Sequence, residues 1–304
     1  MKRIYNKIFW RSGLEVTPET FIQADRHYYY QQNLIRKAMN FPYYGLLLID
    51  EEDKQEFSIN ADVDTQSVRI EQLCCRGTTK EGFFVDFDES ALRIATKRNL
   101  SVSNLSSGKY YLVIRINPYE QVLIEPVENE ETPLSHPAYE FDIKDLSQIK
   151  GNELPLLKMV SDGHTLQIDP HYIPPCMSVR SHKKLMEYYL SYKKMANEVV
   201  GLFNQKKTRF SNFVFPVSLL VYDIDQFSLS EPPYALVQQV RKLLKAFGFF
   251  VTELTSKIEQ VLHIPYNHHD VDGLFGALST CLQEVLFVVG KEEEVIEEDF
   301  TPKI

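Results

Sequence analysis

Ile168-Asp169-Pro170-His171-Tyr172-Ile173-Pro174-Pro175-Cys176 separates two halves of the chain that follow different patterns. Three prolines within six residues remove three backbone donors and push the residues before them toward extended conformations, so neither a helix nor a central strand runs through. Upstream, apolar residues recur with period two in short runs. Downstream, from Met177, they recur in steps of three and four. The expected fold is α+β: a β-sandwich with an N-terminal helix over residues 1–176, a helical bundle over 177–290 and an acidic tail over 291–304. Ile173, Pro174 and Pro175 form the structural hinge at the boundary.

In the first half, Thr17-Pro18-Glu19 combines a capping residue, a proline suited to a first helical turn and an acid near the positive end of the dipole, which predicts a helix over 18–39. Its apolar positions make no single clean stripe, so part of the helix is expected to meet a partner. Segments 46–49, 57–59, 68–74, 83–87, 110–116 and 122–124 read as strands, with Asn117-Pro118 as a turn between the last two. A hairpin follows, with strands 154–160 and 164–168 around Ser161-Asp162-Gly163. No long helices separate these strands, which argues against a parallel nucleotide-binding sheet.

In the second half, Leu185, Tyr189, Tyr192, Ala196, Val199 and Phe203 predict one long helix with a continuous seam. Residues 213–227 form an apolar segment delayed or kinked at Pro216. Ser230-Glu231-Pro232-Pro233 starts a third helix, and a fourth opens near Asp270 or Asp272 and carries Phe275, Leu278, Leu282, Val285 and Val289. Such seams suit oligomerisation, and Leu185, Tyr189, Tyr192, Leu278, Leu282 and Val285 are the residues expected to carry it.

Composition narrows the function. The 304 residues are 44% hydrophobic and 25% charged, an ordinary globular balance, and a formal net charge of −9 argues against a general nucleic-acid binder. The four cysteines, Cys74, Cys75, Cys176 and Cys281, have no metal or redox spacing, and no uninterrupted apolar run of membrane-span length occurs, so a reduced, cytoplasmic protein without membrane insertion is expected. Aromatic content is high, with 17 Tyr and 19 Phe, and surplus aromatic area marks interfaces.

His268-His269-Asp270 with Asp272 is the one catalytic candidate, since histidine and aspartate together ligate hydrolytic metals. Distant partner ligands are not evident, and the reading preferred on the residues is that an aspartate caps the last helix while the histidines hold the turn. Glycine-rich phosphate loops and nucleophile elbows are missing. No catalytic residue, metal or cofactor is therefore expected. A carbohydrate- or receptor-binding module is the alternative suggested by the sandwich and the Tyr28-Tyr29-Tyr30 run.

Three separated stretches resemble one family. Trp10, Gly13, Leu14, Pro18, Phe21, Asp25 and Arg26 are similar to the opening of TssK, the trimeric baseplate adaptor of type VI secretion systems. Tyr172-Ile173-Pro174-Pro175-Cys176, with Ser181 and Leu185, resembles its passage into the first neck helix. Tyr266, His268 and Asp270, followed by Leu274, Phe275 and Leu278, resemble the turn before its last neck helix. The usual Gln-His after the first proline is Glu19-Thr20 here, so a contact made by that histidine is not carried over. The resemblance implies a phage-receptor-binding-like shoulder, a neck that forms a homotrimer, and baseplate wedge partners of the TssF and TssG type. It implies placement at the cytoplasmic face of the inner membrane, with an envelope-anchoring component as a possible further partner. Trp10, Leu14 and Phe21 are the expected wedge contacts, or else staples of the first helix. The resemblance covers residues 3 to about 290, so the family's C-terminal head domain is not expected.

Overall fold

The computed structural model describes residues 5–40, 42–48, 56–64, 66–88, 91–92, 98–102, 105–123, 135–205 and 213–291. Ile49, Ile124 and tail residues 292–304 fall outside them. The chain divides into two compact units, Met1–Met177 and Ser178–Ile304.

The first unit holds helix α1 (Pro18–Asn40) and two antiparallel sheets. In one sheet, β3 (Ser67–Thr78) pairs with β1 (Gly45–Leu46), β2 (Ser58–Val63), β4 (Phe84–Phe87) and β5 (Asn99–Ser101). A register shift opposite Asn60/Ala61 leaves Glu71 as an extra residue in β3. That bulge switches the inward parity: Val68 and Ile70 are buried before it, Leu73 and Cys75 after it.

The second sheet has the order β7-β6-β8-β9, with β6 (Gly108–Leu123), β7 (Ser135–Lys144), β8 (Glu153–Ser161) and β9 (Leu166–Ile168). Asn117-Pro118 does not end a strand as expected. Strand β6 continues through it, and its pairing with β7 jumps from Asn117↔Ala138 to Gln121↔Pro137, so Pro118, Tyr119 and Glu120 loop out. Proline lacks the ladder donor and is tolerated at such a bulge. Side chains close the loop: Asn117 Oδ1 accepts from the Tyr119 amide, and Gln121 Nε2 donates to the Pro118 carbonyl. Asp162 closes the β8–β9 turn by accepting from the His164 and Thr165 amides. Phe87 of β4 meets Tyr139 and Phe141 of β7 edge-on, at centroid distances of 5.0 and 5.4 Å, and these rings join the two sheets.

The proline-rich stretch ends this unit, and Tyr172 to Cys176 are all buried. The Leu46 amide donates to the Pro175 carbonyl and the Met177 amide to the Leu46 carbonyl, a parallel bridge that straps the stretch to β1. Gly45 has φ +128°, and a Cβ there would lie 2.0 Å from the Pro175 carbonyl oxygen.

Among the described residues the second unit holds five α-helices: α2 (Lys183–Gln205), α3 (Val214–Asp225), α4 (Pro233–Phe250), α5 (Thr255–Leu262) and α6 (Val271–Lys291). Helices α2 and α6 pack along their seams, α3 lies against α2 and α4, and α5 sits on α4 and α6. Pro216 occupies the first turn of α3, where its missing donor costs nothing. Helix α5, with buried Ile258 and Val261, was not expected from the sequence. Helix α6 has the length and apolarity of a membrane span, yet its seam from Leu274 to Val289 is buried in the unit. His182 caps α2: its carbonyl accepts from Leu185 and Met186, and its Nδ1 accepts from the Lys184 amide at 3.3 Å.

Two outcomes follow. Gly45→Ala is expected to cost about 2–4 kcal/mol, read as a lower urea midpoint at unchanged slope, since left-handed strain and a backbone clash add. Burial, and secondarily Lys184, lowers the His182 pKa from 6.5 to about 4. A depressed histidine stabilises the fold above its unfolded pKa, and that contribution, on the order of 3 kcal/mol, is lost as pH falls from about 6.5 toward 4. His182→Asn keeps a capping acceptor without the titration, so its melting temperature should vary less across that window.

Candidate interaction surfaces

Helix α1 rests on the first unit through polar groups. Thr17 and Thr20 cap its start reciprocally, the Thr17 amide reaching Thr20 Oγ1 and the Thr20 amide reaching Thr17 Oγ1. Only Asn33 of its side chains is buried. Gly82, at φ +89°, lies so close that a Cβ would meet the Asn33 carbonyl at 2.7 Å. Arg36 Nε donates to the Gly82 carbonyl at 3.1 Å, and Arg26 to the Tyr119 carbonyl on the β6 bulge at 3.4 Å. Tyr5 stacks on Tyr119 at 4.5 Å, while the Tyr5 carbonyl bonds His27 Nδ1. A cleft of about 600 Å³ opens here between Tyr5, Arg26, Tyr30, Phe83 and Tyr119.

The opposite side of α1 is bare. Phe21, Tyr28, Ile35 and Met39 are exposed and, at about 100° per residue, lie within about 40° of one another, facing away from Arg26, Asn33 and Lys37. Phe9, Trp10 and Val16, upstream in the chain, are exposed as well. Trp10 is 52% and Phe21 59% exposed, while Leu14 is half-buried. Exposed apolar stripes of this kind often mark interaction surfaces.

In the second unit, Leu185, Tyr189, Tyr192, Leu278, Leu282 and Val285 are buried inside the single chain. Tyr192 Oη donates to the Phe275 carbonyl at 2.7 Å, Tyr188 Oη to Asp272 at 3.1 Å, and these bonds tie α2 to α6. Those six side chains therefore have no surface left to offer a neighbour. One exposed apolar face in this unit is on α3. Its Val217, Val221 and Ile224 are buried on one side, while Phe215 (75% exposed), Leu219 (54%) and Tyr222 (62%) line the other at spacings of four and three. A helix apolar on both sides belongs in an interior.

The turn at Tyr266, His268 and Asp270 precedes α6. Tyr266 packs edge-on against His268 at 4.9 Å, the His269 amide donates to Asn267 Oδ1, and the Asp270 amide to the Asn267 carbonyl. Among the described residues no group of three or more His, Cys, Asp or Glu is placed to hold a metal.

The exposed apolar residues that sequence reasoning did not single out are Phe215, Leu219 and Tyr222 on α3; an apolar excess over what one buried stripe needs was their signal. At protein concentrations low enough to keep the chain monomeric, Phe215→Ser should leave stability within about 0.5 kcal/mol, as an exposed change does. Tyr192→Phe, which removes a buried hydroxyl bond, should cost about 1 kcal/mol, both read by urea denaturation.

No protein-family profile matches the chain, and no curated protein matches it in sequence. Among solved structures, a chain of the type VI secretion system TssK–TssF–TssG baseplate subcomplex superposes with a TM-score of 0.65 at 14% identity, over 95% of this chain and 100% of that one. A crystal structure of TssK gives 0.63 at 12% identity, over 93% of this chain and 69% of the other. A chain of the type VI secretion baseplate complex gives 0.57 at 15%, over 94% and 100%. The chain has a TssK-like fold.

Proposed function

We propose that the protein is a non-enzymatic structural adaptor in the baseplate of a type VI secretion system. The observation that carries this reading is the fold match over 95% of the chain to a component of the TssK–TssF–TssG subcomplex, spanning both units rather than one. In this reading the two sheets are the layers of a sandwich-like shoulder, and the five helices are a neck bundle.

The shoulder meets wedge proteins of the TssF and TssG type through its uncovered apolar surface. Trp10 and Phe21 supply aromatic anchors, Leu14 supports them from its half-buried position, and Tyr28 and Ile35 continue the strip. Three copies associate through the neck. Leu185, Tyr189, Tyr192, Leu278, Leu282 and Val285 are the intramolecular core that holds α3 in place, and Phe215, Leu219 and Tyr222 meet the neighbouring copies. Assembled, the protein lies at the cytoplasmic face of the inner membrane, near an envelope-anchoring component.

A second reading has one observation in its favour: the aromatic cleft around Tyr5, Tyr30 and Tyr119 has the size and stacking surfaces of a sugar site. Glycan-array binding abolished by Tyr119→Ala would favour it over the adaptor.

Sedimentation of the purified chain should give three times the monomer mass, and Leu219→Asp should return it to monomer without lowering helix content. Co-expression with TssF- and TssG-type proteins should recover a complex that Trp10→Ala/Phe21→Ala weakens at least tenfold. A monomer that fails to capture the wedge proteins would sink the adaptor reading.

A further inference from the structure

Helices α4 and α5 run antiparallel and are clipped together at both ends. At one end Thr255 Oγ1 donates to the Gly248 carbonyl at 3.0 Å; at the other the Arg241 guanidinium donates to the carbonyl of Ile264, just beyond α5. Between the clips lies an open groove of about 600 Å³. Buried Ile258 and half-buried Leu262 give it an apolar floor, and Phe249, 75% exposed, stands at its rim.

The two walls differ in charge. Arg241, Lys242 and Lys245 line the α4 side within about 6 Å of helix axis, in a protein whose net charge is −9. Arg241 is pinned by its bond to Ile264, so one cation is already in place. Lys242 Nζ donates to Gln239 Oε1 at 3.3 Å, and among the described residues neither lysine is ion-paired with a carboxylate. The α5 side contributes Glu259. A complementary guest is therefore apolar toward the floor and acidic along α4.

Helical walls bond their backbone groups within themselves, so an extended guest would find no ladder to join, whereas a helix arrives with its own bonds made. From Arg241 to Phe249 the groove runs about 12 Å, the rise of two helical turns. We infer that this groove docks a short amphipathic helix of another protein, its acids along Arg241, Lys242 and Lys245 and its aliphatic residues, three and four apart, on Phe249, Ile258 and Leu262. The site goes beyond the baseplate reading and uses neither the outer face of α1 nor that of α3. The clips hold the groove open before the guest arrives, which lowers the ordering cost of docking. Lysine stems extend the apolar floor while their ammonium groups meet the acids, and that ionic part weakens with salt.

The probe is a fluorescent peptide of about twelve residues, hydrocarbon-stapled because so short a helix is marginal in water, with leucines at i, i+3, i+4 and i+7 and glutamates along one flank. Its control carries lysines in place of the glutamates. The full-length chain should bind the acidic peptide, and K242E/K245E should bind it at least tenfold more weakly; the lysine peptide should show the reverse preference. Phe249→Ser should weaken the acidic peptide several-fold at low and high salt alike, and bound peptide should slow hydrogen exchange in α5 and the C-terminal half of α4. Because Lys242 and Lys245 are exposed, K242E/K245E should keep the unaltered far-ultraviolet dichroism. Failure of the unaltered chain to bind the acidic peptide, or binding indifferent to K242E/K245E, overturns the inference. Slowed exchange of α5 that appears without peptide as protein concentration rises also overturns it, in favour of a second copy in the groove. Adsorption to phosphatidylglycerol vesicles that K242E/K245E abolishes and the acidic peptide does not compete overturns it in favour of a lipid surface.

Discussion

A backbone without donors can be gripped only by its carbonyls or by its neighbours' amides. That constraint governs Pro174-Pro175. The first unit meets it with Leu46, whose amide takes the Pro175 carbonyl and whose carbonyl takes the Met177 amide. The grip needs β1 to come so close that only a glycine fits at position 45. Strand β1 is two residues long yet pairs with β3, the strand on which every other member of that sheet depends. The place where the sheet-forming half ends is thus tied into the centre of its first sheet.

The bulge in β6 has a comparable reach. A three-residue excursion at Pro118 to Glu120 disturbs one ladder locally, but it lifts Tyr119 to where Tyr5 and Arg26 find it. Helix α1 has little burial of its own and is positioned by this feature and by the Gly82 turn. A mostly polar dock leaves its apolar residues to face outward, and the exposed surface of the first unit follows from that choice.

Much of this was legible in the residues. The proline stretch, the start of α1 at Thr17-Pro18, the Asp162 turn and the seams of α2, α4 and α6 follow from local stereochemistry and periodicity, which act within a few residues. What escaped has a different character. Strand β7 pairs almost residue for residue with β6, but its own run, Ser135 to Lys144, mixes His136, Pro137 and Glu140 with its apolar residues and acquires strand geometry from its partner. Short α5 carries only two buried side chains, too few for a periodic signal. The seam residues Leu185 and Leu278 show a subtler limit: periodicity identifies an apolar face, but not whether the chain's own helices or another copy will cover it. Here its own helices do, and some of the area left uncovered lies on α3, where apolar residues on both sides hide the periodic signal.

Helix α3 also changes what stability means for the second unit. Anything that covers Phe215, Leu219 and Tyr222 binds the folded helix and not the unfolded chain, so by mass action its free concentration enters the unfolding equilibrium. The melting temperature of these helices is then a property of the solution as much as of the polypeptide, rising by the logarithm of whatever covers that face.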